Sequence, residues 1–322
     1  MKTAIFEYGK QSLAEWIEQN HDCEKMVLVG EVHCDLWDDN FKVKAKGQNG
    51  GYRYQREPNI GWHSFDLLYG FDSIAKDFHP LEFDITNMHL LDYEGEIDDE
   101  ELSDDAYEEQ PSQIYQMLAN RKYGTRFIRK GDFMTTPDGK VLIHCDSIKD
   151  TIIIPDGIET IGRLAFASIV KPEFRVILPD GIKNIEECAF AMSDGLVDIN
   201  FPDSLQYLGE SAFCGTGLEE VLLPDGIEEI PCGCFQYVYI ERLRLPANLK
   251  TIGDCAFVGL ECEEVRLPKS VESVGHWSLG IEYYTICKIY IPKTIKELPH
   301  DFYYEEGIDF SFEERKPQIE YY

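Results

Sequence analysis

Basic residues are scarce in this chain of 322 residues: 30 Lys and Arg face 60 Asp and Glu, for a formal net charge of −30. That excludes a nucleic-acid binder built on a broad basic surface, since cationic side chains dominate phosphate binding. The start of the sequence is not expected to act as an export signal, which needs a basic start followed by roughly 7–15 apolar residues. Here Met1-Lys2-Thr3-Ala4-Ile5-Phe6 meets Glu7 at once. No run approaches the roughly 20 apolar residues of a membrane-crossing helix, as Pro, Gly or a charge interrupts each candidate. The expectation is a cytoplasmic protein with no membrane insertion. Its ten cysteines are then expected as reduced thiols, not a disulfide framework. Phosphate-binding glycine loops, metal-ligand patterns and a nucleophile spaced to a base are absent too. No catalytic residue, cofactor or metal is assigned, and an enzyme is not expected.

What is present is a core-forming composition, 43% hydrophobic and 12% aromatic, on a length that suits about two domains. A repeat organises most of it. Prolines fall at 155, 179, 202, 224, 246, 268 and 292, spaced 24, 23, 22, 22, 22 and 24 residues apart. Each closes a short apolar run, such as Val176-Ile177-Leu178, Val221-Leu222-Leu223 or Val265-Arg266-Leu267. Aliphatic residues follow three and six places after, for example Ile182 and Ile185. A small residue and an aromatic come next: Ala165-Phe166, Ala189-Phe190, Ala212-Phe213, Cys234-Phe235 and Ala256-Phe257, weakening to Ser278-Leu279 and Phe302-Tyr303. Leu196, Leu218, Ile240 and Ile286 open the unit, and Cys262 replaces that leucine once.

Alternation sends the outer two residues of each Val-x-Leu inward and the middle one outward. Proline then ends the strand, since it cannot donate a ladder hydrogen bond. Asp-Gly after Pro155, Pro179 and Pro224 supplies turn residues. One unit buries too little to offset the entropy of ordering its backbone, so the units must stack as a curved solenoid of short parallel strands. Cys188 and Cys255, which share a repeat position, are expected in the core. Cys232-Gly233-Cys234 has too short a gap for zinc.

On these motifs, residues 139–303 resemble the BspA-like leucine-rich repeats of bacterial proteins. The stretch Gly139-Lys140-Val141-Leu142-Ile143 resembles their N-terminal capping strand. The resemblance implies protein or surface adhesion and brings no catalytic residues.

Residues 1–125 resemble no family. A small mixed α+β domain is expected there, making the whole chain α+β. Ser12-Leu13-Ala14-Glu15 has the form of a capping box for a helix over 12–20, Met26 to Val29 reads as a buried strand, and helices are expected over 65–78 and 112–121. Gly47 to Gly51 reads as a loop. His33-Cys34-Asp35 with Asp38-Asp39 has ligand-type atoms, but its spacing fits no known site, and His63, His79 and His89 are scattered. Eleven acidic residues and no basic one lie between Asp92 and Glu109, which predicts a solvated loop that solubilises the chain, docks a basic partner or mimics a nucleic acid. The repeats are expected over 126–310, with 311–322 as a tail.

Two columns mark the outward face of the strands. Two residues before each proline stand Ile153, Ile177, Asn200, Leu222, Arg244, Arg266 and Tyr290. The isoleucines predict cover for the first rungs, by the N-terminal domain or by a partner. Four residues before the prolines stand Asp198, Glu220, Arg242, Glu264 and Lys288, which can pair as a charge ladder. Alternatively Arg242, Arg244, Arg266 and Lys288, with Tyr290 and Leu222, form a basic and aromatic partner-binding patch of interface-anchor residue types. The functional expectation is a non-catalytic protein-protein interaction module. An acidic inhibitor or immunity-type protein for a basic target is one alternative. An enzyme in residues 1–125 with the repeats as a targeting module is the other.

Overall fold

The computed structural model of the chain describes residues 1–33, 41–46, 52–56, 75, 78–91, 112–280, 288–295, 298–303 and 317–322. The chain divides into two compact units, Met1–Asp138 and Gly139–Tyr322. The first unit extends past the expected 125, because the strand Arg126–Lys130 pairs antiparallel with Glu82–Leu91. His33-Cys34-Asp35 with Asp38-Asp39, the helix over 65–78, the loop 47–51, His63 and the acidic stretch 92–109 lie outside the described residues, apart from the His33 backbone, Ala75 and Phe78.

The first unit is α/β at its centre. Thr3–Glu7 and Lys25–His33 pair in parallel, joined by the helix Leu13–Asn20, whose Ser12 hydroxyl accepts from the Glu15 amide at 3.1 Å. That cap satisfies an orphan donor of the first turn. The buried Trp16 donates its indole N–H to the Ile5 carbonyl at 2.8 Å and packs edge-on against Phe6 and Phe78, with ring centroids 5.7 and 5.9 Å away. Lys25–His33 pairs in parallel on its other side with Glu82–Leu91, a strand the sequence did not announce. A hairpin of Arg126–Lys130 and Phe133–Thr135 extends this sheet, and Phe41–Lys46 pairs antiparallel with Tyr52–Arg56. The expected helix over 112–121 is Gln113–Ala119, capped by Ser112 and buried on all sides.

The second unit is a β-solenoid of about nine turns, and its described strands fall in two rows. The first row holds the proline-terminated strands Thr151–Ile153, Phe174–Ile177, Leu196–Ile199, Glu220–Leu222, Arg242–Arg244, Glu264–Arg266 and Lys288–Ile291. The expected tail adds a further rung, Gln318–Tyr321, parallel to Lys288–Ile291. The second row begins with Val141–Cys145 and continues through Thr160–Ile161, Asn184–Ile185, Tyr207–Leu208, Glu229–Ile230, Thr251–Ile252 and Ser273–Val274. Between the rows the proline carbonyl accepts from the amide three residues on, as in Pro202 to Leu205 at 2.9 Å and Pro246 to Leu249 at 3.2 Å. That bond closes a β-turn in every unit.

Inside, the phenylalanines form one stack. Phe166, Phe190, Phe213, Phe235 and Phe257 lie nearly parallel, their centroids 4.8, 5.1, 5.2 and 5.4 Å apart in succession. This is close to the separation of paired strands. Each ring's own amide donates to the small residue of the next rung, as Phe166 does to Ala189 at 2.7 Å and Phe213 to Cys234 at 2.8 Å. The residue before each small one adopts a left-handed backbone: Leu164, Cys188, Ser211, Gly233, Cys255 and Trp277 have φ between 51° and 61°. Cys188 and Cys255 thus share a backbone position more than a packing position. Cys188 is buried, as expected, while Cys255 is half-buried.

The second row carries a ladder of charge. Glu159 accepts from Lys140 at 2.8 Å and from Lys183 at 2.6 Å, and these two ammonium groups lower its carboxyl to about 2. Its ordinary value is 4.5, so the stability it contributes is fully present above that pH and is lost as pH falls toward 2. Glu159→Gln should therefore flatten the acid limb of the thermal midpoint between pH 4.5 and about 2 relative to the parent chain. A second expectation concerns the backbone. A left-handed L-residue costs roughly 1–2 kcal/mol, partly offset by the extra freedom glycine has when unfolded. Ser211→Gly should raise stability by about 1 kcal/mol, read as a higher denaturant midpoint with unchanged slope.

Candidate functional site

The outward column of the first row presents the residues picked out from the sequence. Ile153 and Ile177 retain 64% and 45% of their surface and Leu222 45%, so no described residue buries them. Leu222 sits in register with Arg244, and Glu220 with Arg242. Arg266 sits opposite Tyr290, and Glu264 opposite Lys288. The strands Arg242–Arg244 and Glu264–Arg266 belong to separate hydrogen-bonded sheets. The six residues of the expected patch therefore fall into two groups.

Electrostatically the patch is less basic than its residue names suggest. Arg242 pairs with Glu220 on the preceding rung. Arg244 reaches Asp225 at 3.3 Å, and Arg266 reaches Glu264 at 3.5 Å. Asp225 also accepts from the Ala247 amide at 2.9 Å, which ties Arg244 to the turn after Pro224. These are exposed pairs, each modest in energy. Their effect is to neutralise the arginines in place.

The C-terminal group is aromatic. The Arg266 guanidinium lies 3.8 Å from the Tyr290 ring centroid and 5.0 Å from that of Tyr322. Lys269 Nζ stands 5.9 Å from the Tyr322 ring, on which both cations are favourably placed. Tyr322 is anchored on its own account: its hydroxyl donates to the Leu267 carbonyl at 2.6 Å, and its amide to Ile291 at 3.0 Å. Sequence reasoning missed Tyr322 by reading 311–322 as a tail. The signal was the alternation of Ile319 and Tyr321 with polar residues.

The family model for the BspA type leucine rich repeat region matches residues 140–239 and 228–321, in six copies. The chain belongs to this repeat family. Among solved structures it is similar to a leucine rich cell surface protein from Faecalibacterium prausnitzii, with 16% identity, 53% of this chain and 55% of that chain covered, and a TM-score of 0.40. It is also similar to a leucine-rich repeat protein from Eubacterium ventriosum, at 15% identity over 47% and 48% of the two chains with a TM-score of 0.34. A third is the leucine rich repeat protein of T. pallidum, at 19% identity over 53% and 80% with a TM-score of 0.32. The chain spans about half the length of the first two of these. No curated protein matches it.

Burial pushes the thiols of Cys214 and Cys262 up to about 11, and that of Cys234 well above its usual range. Protonated thiols of this kind are poor nucleophiles. Among the described residues no three His, Cys, Asp or Glu side chains converge as metal ligands. Also among the described residues, no helix is long and apolar enough to cross a membrane.

Tyr322→Ala removes a hydrogen bond and two cation contacts from the last rung. Such losses sum to about a tenfold change in local opening. Amide exchange should accelerate by about that factor at 318–321 and 288–291 and stay unchanged near Thr151–Ile153, because coupling in a stacked array runs between neighbours.

Proposed function

We propose that the solenoid is a non-catalytic protein-binding module whose contact surface is the outward side of the proline-terminated strands. One observation carries this reading: Ile153, Ile177 and Leu222 expose apolar side chains in the same column, at positions where solvent favours polar groups. Aliphatic side chains aligned along one face of the solenoid gain by being covered. The cluster of Arg266, Tyr290 and Tyr322 adds residue types enriched at binding hot spots. A stacked core fixes the spacing of these groups before any partner arrives, so little ordering cost falls on association.

The test is quantitative capture from cells of the native host. Bait with Ile153→Asp, Ile177→Asp and Leu222→Asp, and bait with Arg244→Glu and Arg266→Glu, would be compared with the parent chain. A control bait carries Glu229→Gln and Thr251→Ala on the second row, and circular dichroism verifies each fold. At least one captured protein should fall about tenfold with the first-row baits and hold with the control. If every captured protein survives both first-row baits, the reading is wrong.

A further inference from the structure

The first row is interrupted at two steps, between Leu196–Ile199 and Glu220–Leu222 and between Arg242–Arg244 and Glu264–Arg266. At the second of these no backbone ladder joins Arg242–Arg244 to Glu264–Arg266. Core residues show through the gap. Leu243 and Leu245 are half-buried, whereas their equivalents Val221, Leu223, Val265 and Leu267 are buried. The turns stay joined on both sides, by the Glu261 amide to the Ile240 carbonyl at 3.0 Å and by the pairing of Thr251–Ile252 with Ser273–Val274. The opening is local.

A hollow of about 700 Å³ lies there. Leu222, Leu243 and Cys262 give it an apolar floor, and Glu241, Glu261, Glu263 and Glu264 rim it. Arg242, the cation at the edge, is committed to Glu220. Glu264 has Arg266 at 3.5 Å. Glu241, Glu261 and Glu263 have no ion pair among the described residues. An apolar floor with an anionic rim matches one kind of group, a long alkyl stem that ends in a cation.

We infer that this hollow receives a lysine- or arginine-bearing segment of a partner protein, its stems on Leu222 and Leu243 and its charges among Glu241, Glu261 and Glu263. The inference rests on the protein-binding reading and names the partner's chemistry. The chain's charge of −30 would draw such a segment from a distance and speed its encounter. The floor supplies what long-range attraction lacks, a preference for stems over bare charge.

The probe is a fluorescein-labelled peptide of alternating arginine and leucine, titrated into the full chain and followed by anisotropy. A peptide of alternating arginine and glycine with the same charge, and spermine, serve as comparisons. Glu241→Gln with Glu261→Gln and Glu263→Gln should weaken the arginine-leucine peptide about tenfold, and Glu210→Gln with Glu229→Gln and Glu272→Gln, an equal charge loss elsewhere, less than about twofold. Leu222→Gln keeps every carboxylate and should weaken the arginine-leucine peptide about fivefold while leaving the arginine-glycine peptide unchanged. It decides the matter if the triple variant does not fold. Equal losses in both triple variants, or spermine bound with the same dependence on the rim as the peptide, would overturn the inference. If hollow variants change neither the peptide nor the host protein captured through the first row, the hollow inference alone falls. If first-row baits lose nothing, the broader reading falls with it.

Discussion

The amide of each stacked phenylalanine donates to the carbonyl of a small residue one turn further on, and the rest of the solenoid depends on that bond. Rings about 5 Å apart leave room for alanine or cysteine beside them and for little else. The carbonyl can meet the amide only if the chain turns sharply just before the small residue. That is why Leu164, Cys188, Ser211, Cys255 and Trp277 accept a left-handed backbone. Strain at one residue per turn is repaid by a buried hydrogen bond and a ring contact, both in low dielectric where an unmade bond would be costly. Where the aromatic weakens to Leu279 the bond persists, from its amide to the Phe302 carbonyl at 2.8 Å. The backbone geometry, more than the ring, is the invariant of the array.

The period of this array was legible because proline and the Ala-Phe pair are rare signals placed at fixed intervals. The inward and outward sides of each strand followed from alternation alone, and Ile152, Val176 and Val221 are buried where it puts them. The left-handed position was not legible. A leucine, a serine, two cysteines and a tryptophan share nothing in chemistry, and only the backbone they adopt unites them. Glu82–Leu91 escaped notice because its polar residues mask the buried Phe83, Ile85 and Met88. The candidate patch was legible as a set of residues and illegible as a charge. Its arginines are neutralised by Glu220, Asp225 and Glu264, and Asp225 lies in a turn that no column count of the strands includes.

Asn200 shows how a sequence can alter the array without leaving it. Its side-chain amide accepts from the Leu178 N–H at 2.7 Å and donates to the Leu178 carbonyl at 2.9 Å, so a side chain stands where a strand peptide would. The polar residue among the apolar first members of the outward column is thus spent on the fold. Ile153, Ile177 and Leu222, which make no such bond, are left for contact.

Interruptions of the two rows have different physical origins, and the difference bears on what each can do. In the second row the residue after each aliphatic donates to the preceding turn, as Gly209 does to Ile185 and Gly253 to Ile230, both at 2.8 Å. Pro231 occupies that position once and has no N–H, which removes one donor where the row breaks between Tyr207–Leu208 and Glu229–Ile230. That break needs no change in spacing and exposes no core. Between Arg242–Arg244 and Glu264–Arg266 every residue carries its donor, yet the ladder is absent and two core leucines are half-buried. A missing donor contributes to the second-row interruption, whereas the one after Arg242–Arg244 takes apolar surface out of the core and sets it among carboxylates. Within a single chain that arrangement is unfavourable on both counts. It becomes favourable when an outside group supplies both a hydrocarbon stem and a positive charge.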